Sequence, residues 1–231
     1  MEDTSRERWI GKKGNKKTTC KRGQYMLTLY ITRHGETEWN TQERMQGWKD
    51  SDLTEIGVQN AIDLGERLQS TPIDAIYSSP SNRTQKTTKL ICGDRNIPII
   101  LDEDLREINM GIWEGKTQSY IKENYPTEHN NFWNAPRFYN PMEGESFFDV
   151  QRRVLTVLNR MKRDNCSGNV LIVTHSVVIK CFLSIFKELP IENIWDPPYI
   201  HDTSLTIVEV NEKGYRILLE GDTLHKETAR S

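Results

Sequence analysis

Residues 27–40 read LTLYITRHGETEWN, an apolar and β-branched run that turns abruptly polar at Arg33-His34-Gly35. A strand-forming segment that ends in an arginine, a histidine and a glycine is either a polar strand terminus at the surface or a rigid mount for two reactive side chains. The rest of the chain decides between these. Thr54-Glu55 opens a helical pattern with Ile56, Val58, Ala61, Ile62, Leu64 and Leu68 at mainly helical spacing. Residues 74–79 predict a short strand stopped by Pro80, and Ser81 is placed to cap a helix running to about Cys92. Residues 97–101 predict another short strand, and a long helix from about Ser146 to Asp164 carries Phe147, Val150, Val154, Leu155, Val157, Leu158 and Met161.

Residues 169–174, NVLIVT, form a continuous apolar run of the kind buried on both faces of a sheet. A helix at about 177–187 follows, and two strands, about 204–210 and 215–220, flank a Glu-Lys-Gly turn. Strands alternating with helices predict a three-layer α/β/α sandwich with a mostly parallel central sheet. Sites in such sheets lie beyond the carboxyl ends of the strands. If strands 27–33, 74–79 and 169–174 are parallel, Arg33, His34, Arg83 and His175 converge on one edge.

Two arginines and two histidines around one point make an anion site. Guanidinium groups match phosphate oxygens with a planar fork of donors, and neutral imidazole attacks phosphorus near pH 7. An alkoxide leaving group also needs a proton. Glu107, in the segment LREINMGIWEG at 105–115, is the candidate general acid, with Glu103, Asp104 and Glu114 as neighbouring carboxylates. His129, His201 and His225 have no comparable context and read as surface or loop residues.

Composition narrows the class. Of 231 residues, the first 25 hold eight Lys/Arg against three Asp/Glu, a net of +5, while the remainder holds 23 against 30, a net of −7. Residues 1–25 are expected to be a disordered basic tail, and residues 26–231 one domain. No apolar segment suits a signal peptide or a membrane span. Four cysteines (20, 92, 166 and 181) without CxxC spacing read as reduced structural thiols of a cytoplasmic protein.

LTLYITRHGETEWN resembles the signature of the histidine phosphatase superfamily, also called the phosphoglycerate mutase-like family. The resemblance continues in order through QGWKDSDLTEIG, YSSPSNRTQKT, LREINMGIWEG, the GES of 144–146 and VTHS, and extends to WDPPY and SLTIVEV. It implies that His34 becomes phosphorylated, that Arg33, Arg83 and His175 surround the phosphate, and that Glu107 protonates the leaving oxygen and then activates water. It places Asn40 and Gln46 near the phosphate with less specificity, and it implies no metal or other cofactor. Relatives usually carry glycine where this chain has Ser176, whose backbone N–H is expected to face the phosphate. The aromatic-rich segment 117–145 is either a satellite core or a cap, with Trp133, Phe138 and Tyr139 meeting the organic part of a substrate.

The expected partner is a small phosphomonoester, with no nucleic acid and no membrane. Monomer and homodimer both remain open. The pattern looks closest to broad-specificity bacterial phosphatases, with α-ribazole phosphatase as a near neighbour. A phosphoglycerate mutase and a non-catalytic phospho-ligand binder are the alternatives. Mutases of the family, as the resemblance implies, carry a longer and more basic insertion after the second arginine, so the compact, aromatic 84–145 with few basic residues favours hydrolysis, and the presence of both His34 and Glu107 disfavours the binder.

Overall fold

The computed structural model describes residues 26–165 and 167–228. The expected basic tail at 1–25, with Cys20, and also Cys166 lie outside these residues. Six strands form one sheet in the order β3-β2-β4-β1-β5-β6. They are β1 (Met26–Arg33), β2 (Ala75–Ser78), β3 (Ile99–Leu101), β4 (Ser167–Thr174), β5 (Leu205–Asn211) and β6 (Gly214–Asp222). The four strands β3, β2, β4 and β1 run parallel. β5 pairs antiparallel with β1, and β6 with β5. The sheet is therefore mixed and mostly parallel.

The alternation of β1 and the continuous apolarity of β4 follow from their surroundings. Leu27, Leu29 and Ile31 of β1 enter the larger of two cores, whereas Tyr30 packs against the smaller. β4 feeds both, with Val170 and Ile172 on one side and Leu171 and Val173 on the other. The smaller core is closed by helices α2 (Glu55–Arg67) and α3 (Asn82–Cys92), the larger by α6 (Phe147–Asp164) and α7 (Ser176–Phe186). Between them in sequence lie α4 (Gln118–Asn124) and α5 (Pro126–Asn134), and the short α1 (Glu38–Thr41) and α8 (His225–Thr228) complete the set.

α6 shows how sequence becomes packing. Ser146 and Asp149 form a reciprocal capping box at its start. Phe147, Val150, Val154, Val157, Leu158 and Met161 then fall on one buried stripe, each worth about 1.5–3 kcal/mol of burial. Leu155, expected on that stripe, is instead exposed, because it sits one residue, about 100° of helix rotation, beyond Val154. Ile56 of α2 is likewise exposed. Cys92 and Cys181 are free and buried, and no helix among the described residues is long and apolar enough to cross a membrane.

Candidate active site

The strand register brings the two histidines together. Arg33 of β1 lies beside Thr174 of β4, and the His34 N–H donates to the Thr174 carbonyl at 3.0 Å. Ser78 of β2 pairs with Val173, so the loop leading to Arg83 leaves the same sheet edge. Gly35 has a steric reason to be glycine besides any approach to a ligand. A Cβ there would stand 2.5 Å from the Gly57 carbonyl oxygen, where β1's exit crosses the start of α2.

His34 is buried, and its Nδ1 lies 2.7 Å from the Gly35 carbonyl oxygen. A carbonyl only accepts, so Nδ1 carries the proton and Nε2 keeps its lone pair. Burial first, then the Arg83 and Arg33 charges, hold the His34 pKa well below the ordinary histidine value. The same causes, burial ahead of Arg83 and His34, lower that of His175. His175 Nδ1 accepts from Arg83 Nη2 at 3.1 Å, leaving its Nε2–H to donate to Ser79 Oγ at 2.9 Å.

Arg83 is fixed from behind. Nη1 donates to the Lys49 carbonyl and to Asp50 Oδ1, each at 2.7 Å, and Nη2 donates to the Gly47 carbonyl at 2.8 Å. Arg33 Nη1 donates to the Ile200 carbonyl at 3.0 Å. After these bonds, the Nε atoms of Arg33 and Arg83 are both buried and carry no hydrogen-bond partner within the described residues. Buried donors are nearly always satisfied, so two cationic N–H groups left without partners on residues lining one cavity are groups that could hold an oxyanion.

Glu107 lies across the cavity and is almost fully buried. Its Oε1 accepts from the Ile108 N–H at 2.9 Å, and its Oε2 from the Ser176 hydroxyl at 3.2 Å. Its main chain is clamped as well. Trp48 Nε1 and Arg153 Nη2 donate to its carbonyl at 2.9 and 3.0 Å, and Arg153 also pairs with Glu145. The GES block at 144–146 thus anchors the Glu107 loop from outside the cavity. Asn40 Oδ1 accepts from the Thr37 N–H and hydroxyl, and Gln46 Nε2 donates to the Thr37 hydroxyl, so both side chains brace the loop after His34 while lining the cavity.

The cavity has a volume of about 720 Å³ and joins Arg33, His34, Arg83, Glu107 and Ser176 to an aromatic and thioether wall. Trp133 is on that wall, beside Trp195 at 4.8 Å between ring centroids. Phe138 and Tyr139 are not on it. Phe138 projects to the surface with 70% of its area exposed, and Tyr139 turns inward against Trp113, Phe132 and Phe147. The segment 117–145 is therefore both a satellite core and a wall, divided residue by residue.

Sequence reasoning missed the other half of the wall, residues 195–201. Trp195, Tyr199 and His201 line the cavity, and Lys180 supports them by donating to the carbonyls of Asp196 and Pro198. His201, read as a surface histidine, is exposed but stands at the cavity with its ring 4.6 Å from that of Tyr199. His225, read the same way, is buried beside Thr203. The sequence signal there was the match of WDPPY (195–199) to the family pattern, and strand direction explains its place. β5 runs antiparallel to β1, so the segment before it must cross the same carboxyl edge that holds His34.

The profile of the histidine phosphatase superfamily (branch 1) matches residues 29–223. The chain belongs to this superfamily. Its fold superimposes on that of Bacillus stearothermophilus YhfR with a TM-score of 0.83 and 48% identity, covering 87% of this chain and 99% of that one. A Yersinia pestis protein named as a probable phosphoglycerate mutase is 32% identical over 87% of this chain and 95% of its own length. A phosphoserine phosphatase of Entamoeba histolytica, solved with 3-phosphoglyceric acid, is 26% identical with a TM-score of 0.76, covering 87% of this chain and 99% of that one. Mutase and phosphatase names thus both occur among these relatives of the superfamily.

Proposed function

We propose that the protein is a phosphatase that hydrolyses organic phosphomonoesters through a phosphohistidine on His34. The observation that carries this reading is the pair of buried, unpartnered Nε–H groups of Arg33 and Arg83 beside a neutral His34. The phosphoryl group would rest on these donors, while His34 Nε2 attacks phosphorus opposite the ester oxygen. As the N–P bond forms and the P–O bond breaks, Glu107 as carboxylic acid gives its proton to the leaving oxygen. Glu107 as carboxylate then takes a proton from water, which attacks phosphorus and breaks the N–P bond, releasing phosphate and restoring both residues. His175, held neutral with its Nδ1 on Arg83, orients that guanidinium and fills the space behind His34.

Hydrolysis is favoured over phosphoryl return to a carboxylated sugar acid by what lies beyond the phosphate seat. The wall is Met45, Met110, Phe132, Trp133, Trp195 and Tyr199, which suits an aryl or apolar leaving group. The further cations are engaged by the protein itself. Lys180 donates to two carbonyls, and Arg44 donates to the Gly115 carbonyl and Gln42. The test compares phosphate release from naphthyl phosphate with conversion of 3- to 2-phosphoglycerate, for the wild type and His34→Ala. Release by the wild type, lost in the variant and accompanied by an acid-labile phosphohistidine, is expected. Faster phosphoglycerate interconversion than phosphate release would make the protein a mutase, the reading that the Yersinia pestis relative's name supports.

A further inference from the structure

The Glu107 carboxylate meets three donors, and they are of two kinds. The Ile108 and Val177 N–H groups, at 2.9 and 3.4 Å, can only donate, so they serve the charged carboxylate alone. The Ser176 hydroxyl, 3.2 Å from Oε2, both donates and accepts. Its position is fixed by the fold. Ser176 is the first residue of α7, directly after His175, whose side chain makes no capping bond to that helix. The hydroxyl thus reaches from the start of α7 to Glu107, and both Ser176 and Glu107 line the cavity.

We infer that Ser176 is a positioning residue for Glu107, its hydroxyl donating to Oε2 and so holding the carboxyl group in one orientation as it gives its proton to the leaving oxygen and takes one from water. The inference rests on the general acid and base reading of Glu107. With glycine at 176, the residue that the family resemblance leads one to expect, Oε2 would keep only the long bond from Val177. Ser176 would therefore matter most where the leaving group needs a proton, and least where it departs as a stable anion.

That asymmetry defines the experiment. kcat/KM is measured from pH 4.5 to 8.5 with p-nitrophenyl phosphate, whose leaving group needs no proton, and with 2-phenylethyl phosphate, whose alkoxide does. The proteins are wild type, Ser176→Ala, Ser176→Gly, Ser176→Thr and Glu107→Gln. Loss of one hydrogen bond predicts a fall of about 5- to 20-fold on the alkyl ester for Ala and Gly, with less than about 3-fold on the aryl ester. Ser176→Thr should recover most of the alkyl activity. Equal losses on both esters, or none on the alkyl ester while Glu107→Gln still loses it selectively, would overturn the role of Ser176 alone. If Glu107→Gln shows no dependence on the leaving group, the general acid reading falls and takes the inference with it.

Discussion

The rings of His34 and His175 stand edge to face with centroids 5.3 Å apart, and both are buried between the same two arginines. Neither ring has room for a second positive charge. Folding stability should therefore depend on pH in a definite sense. A histidine whose folded pKa is lowered contributes stability that is complete above its unfolded value, about 6.5, and is lost as pH falls toward the folded value. His225, lowered to about 4 by burial and then by the Arg67 charge, adds to the same slope between pH 6.5 and 4. The urea midpoint should fall steadily from pH 7.5 to 4.5, and His225→Gln should flatten part of that decline. A midpoint that stays constant over this window would refute the argument.

Arg153 should act at a distance from the phosphate. It donates to the carbonyls of Asp104 and Glu107 and faces Glu145 with two 3.0 Å bonds. Arg153→Ala removes all of these and frees the Glu107 loop. We expect kcat on alkyl phosphates to fall at least about 10-fold with KM nearly unchanged, and stability to fall by about 2–3 kcal/mol. Steady-state kinetics beside urea titration separates the two effects. An unchanged kcat would show that the loop holds its place without the clamp.

Trp133 and Trp195 should set the leaving-group preference. Removing either ring deletes about 2 kcal/mol of apolar contact, which corresponds to a rise of roughly 30-fold in KM for naphthyl phosphate. Glycerol phosphate, too small to reach the wall, should be little affected. Phe138→Ala provides the contrast, since its ring lies in solvent and its loss should leave KM unchanged for both substrates.

Gly35→Ala should damage the fold more than the chemistry alone would suggest. Its Cβ would meet the Gly57 carbonyl oxygen at 2.5 Å, and that oxygen belongs to backbone with little freedom to move. A loss of about 1–3 kcal/mol, read by thermal or urea unfolding, is expected from overpacking of this kind. A variant as stable as wild type would mean that the crossing of β1's exit over α2 is looser than it looks.

The residues at strand ends were legible in the sequence because parallel α/β topology assigns them one edge. Arg33, His34, Arg83 and His175 needed only strand direction to be brought together, and the structure joins them. Glu107 was readable as a carboxylate in a loop near that edge, although its hydrogen bonds to Ser176 and Val177 were not. The wall was harder. Phe132, Trp133, Phe138 and Tyr139 share one composition, and only the rotation of a short helix and the turn after it decide which ring faces the cavity, the core or water. The cavity places of Trp195 and Tyr199, both within the WDPPY of the resemblance, were not readable because they depend on β5 reversing direction, which LTIVEVN does not itself encode. Leu155 and Ile56 show the same limit, since periodicity gives a stripe's centre better than its margins.

The position of β1 has a consequence for how the molecule is made. Its neighbours in the sheet are β4 and β5, which begin at Ser167 and Leu205, so the strand bearing His34 leaves the ribosome long before either partner exists. Arg83 and Glu107 also emerge ahead of His175, and the Thr203 N–H that closes on the Arg33 and His34 carbonyls emerges later still. A nascent chain therefore carries His34 without the surroundings that hold it neutral and buried in the folded protein. Pairings this distant are slow to form and expose strand edges while they wait. If His34 acts as proposed, attack on phosphate esters would be withheld until nearly the whole sheet has been synthesised, and synthesis itself would act as the safety catch.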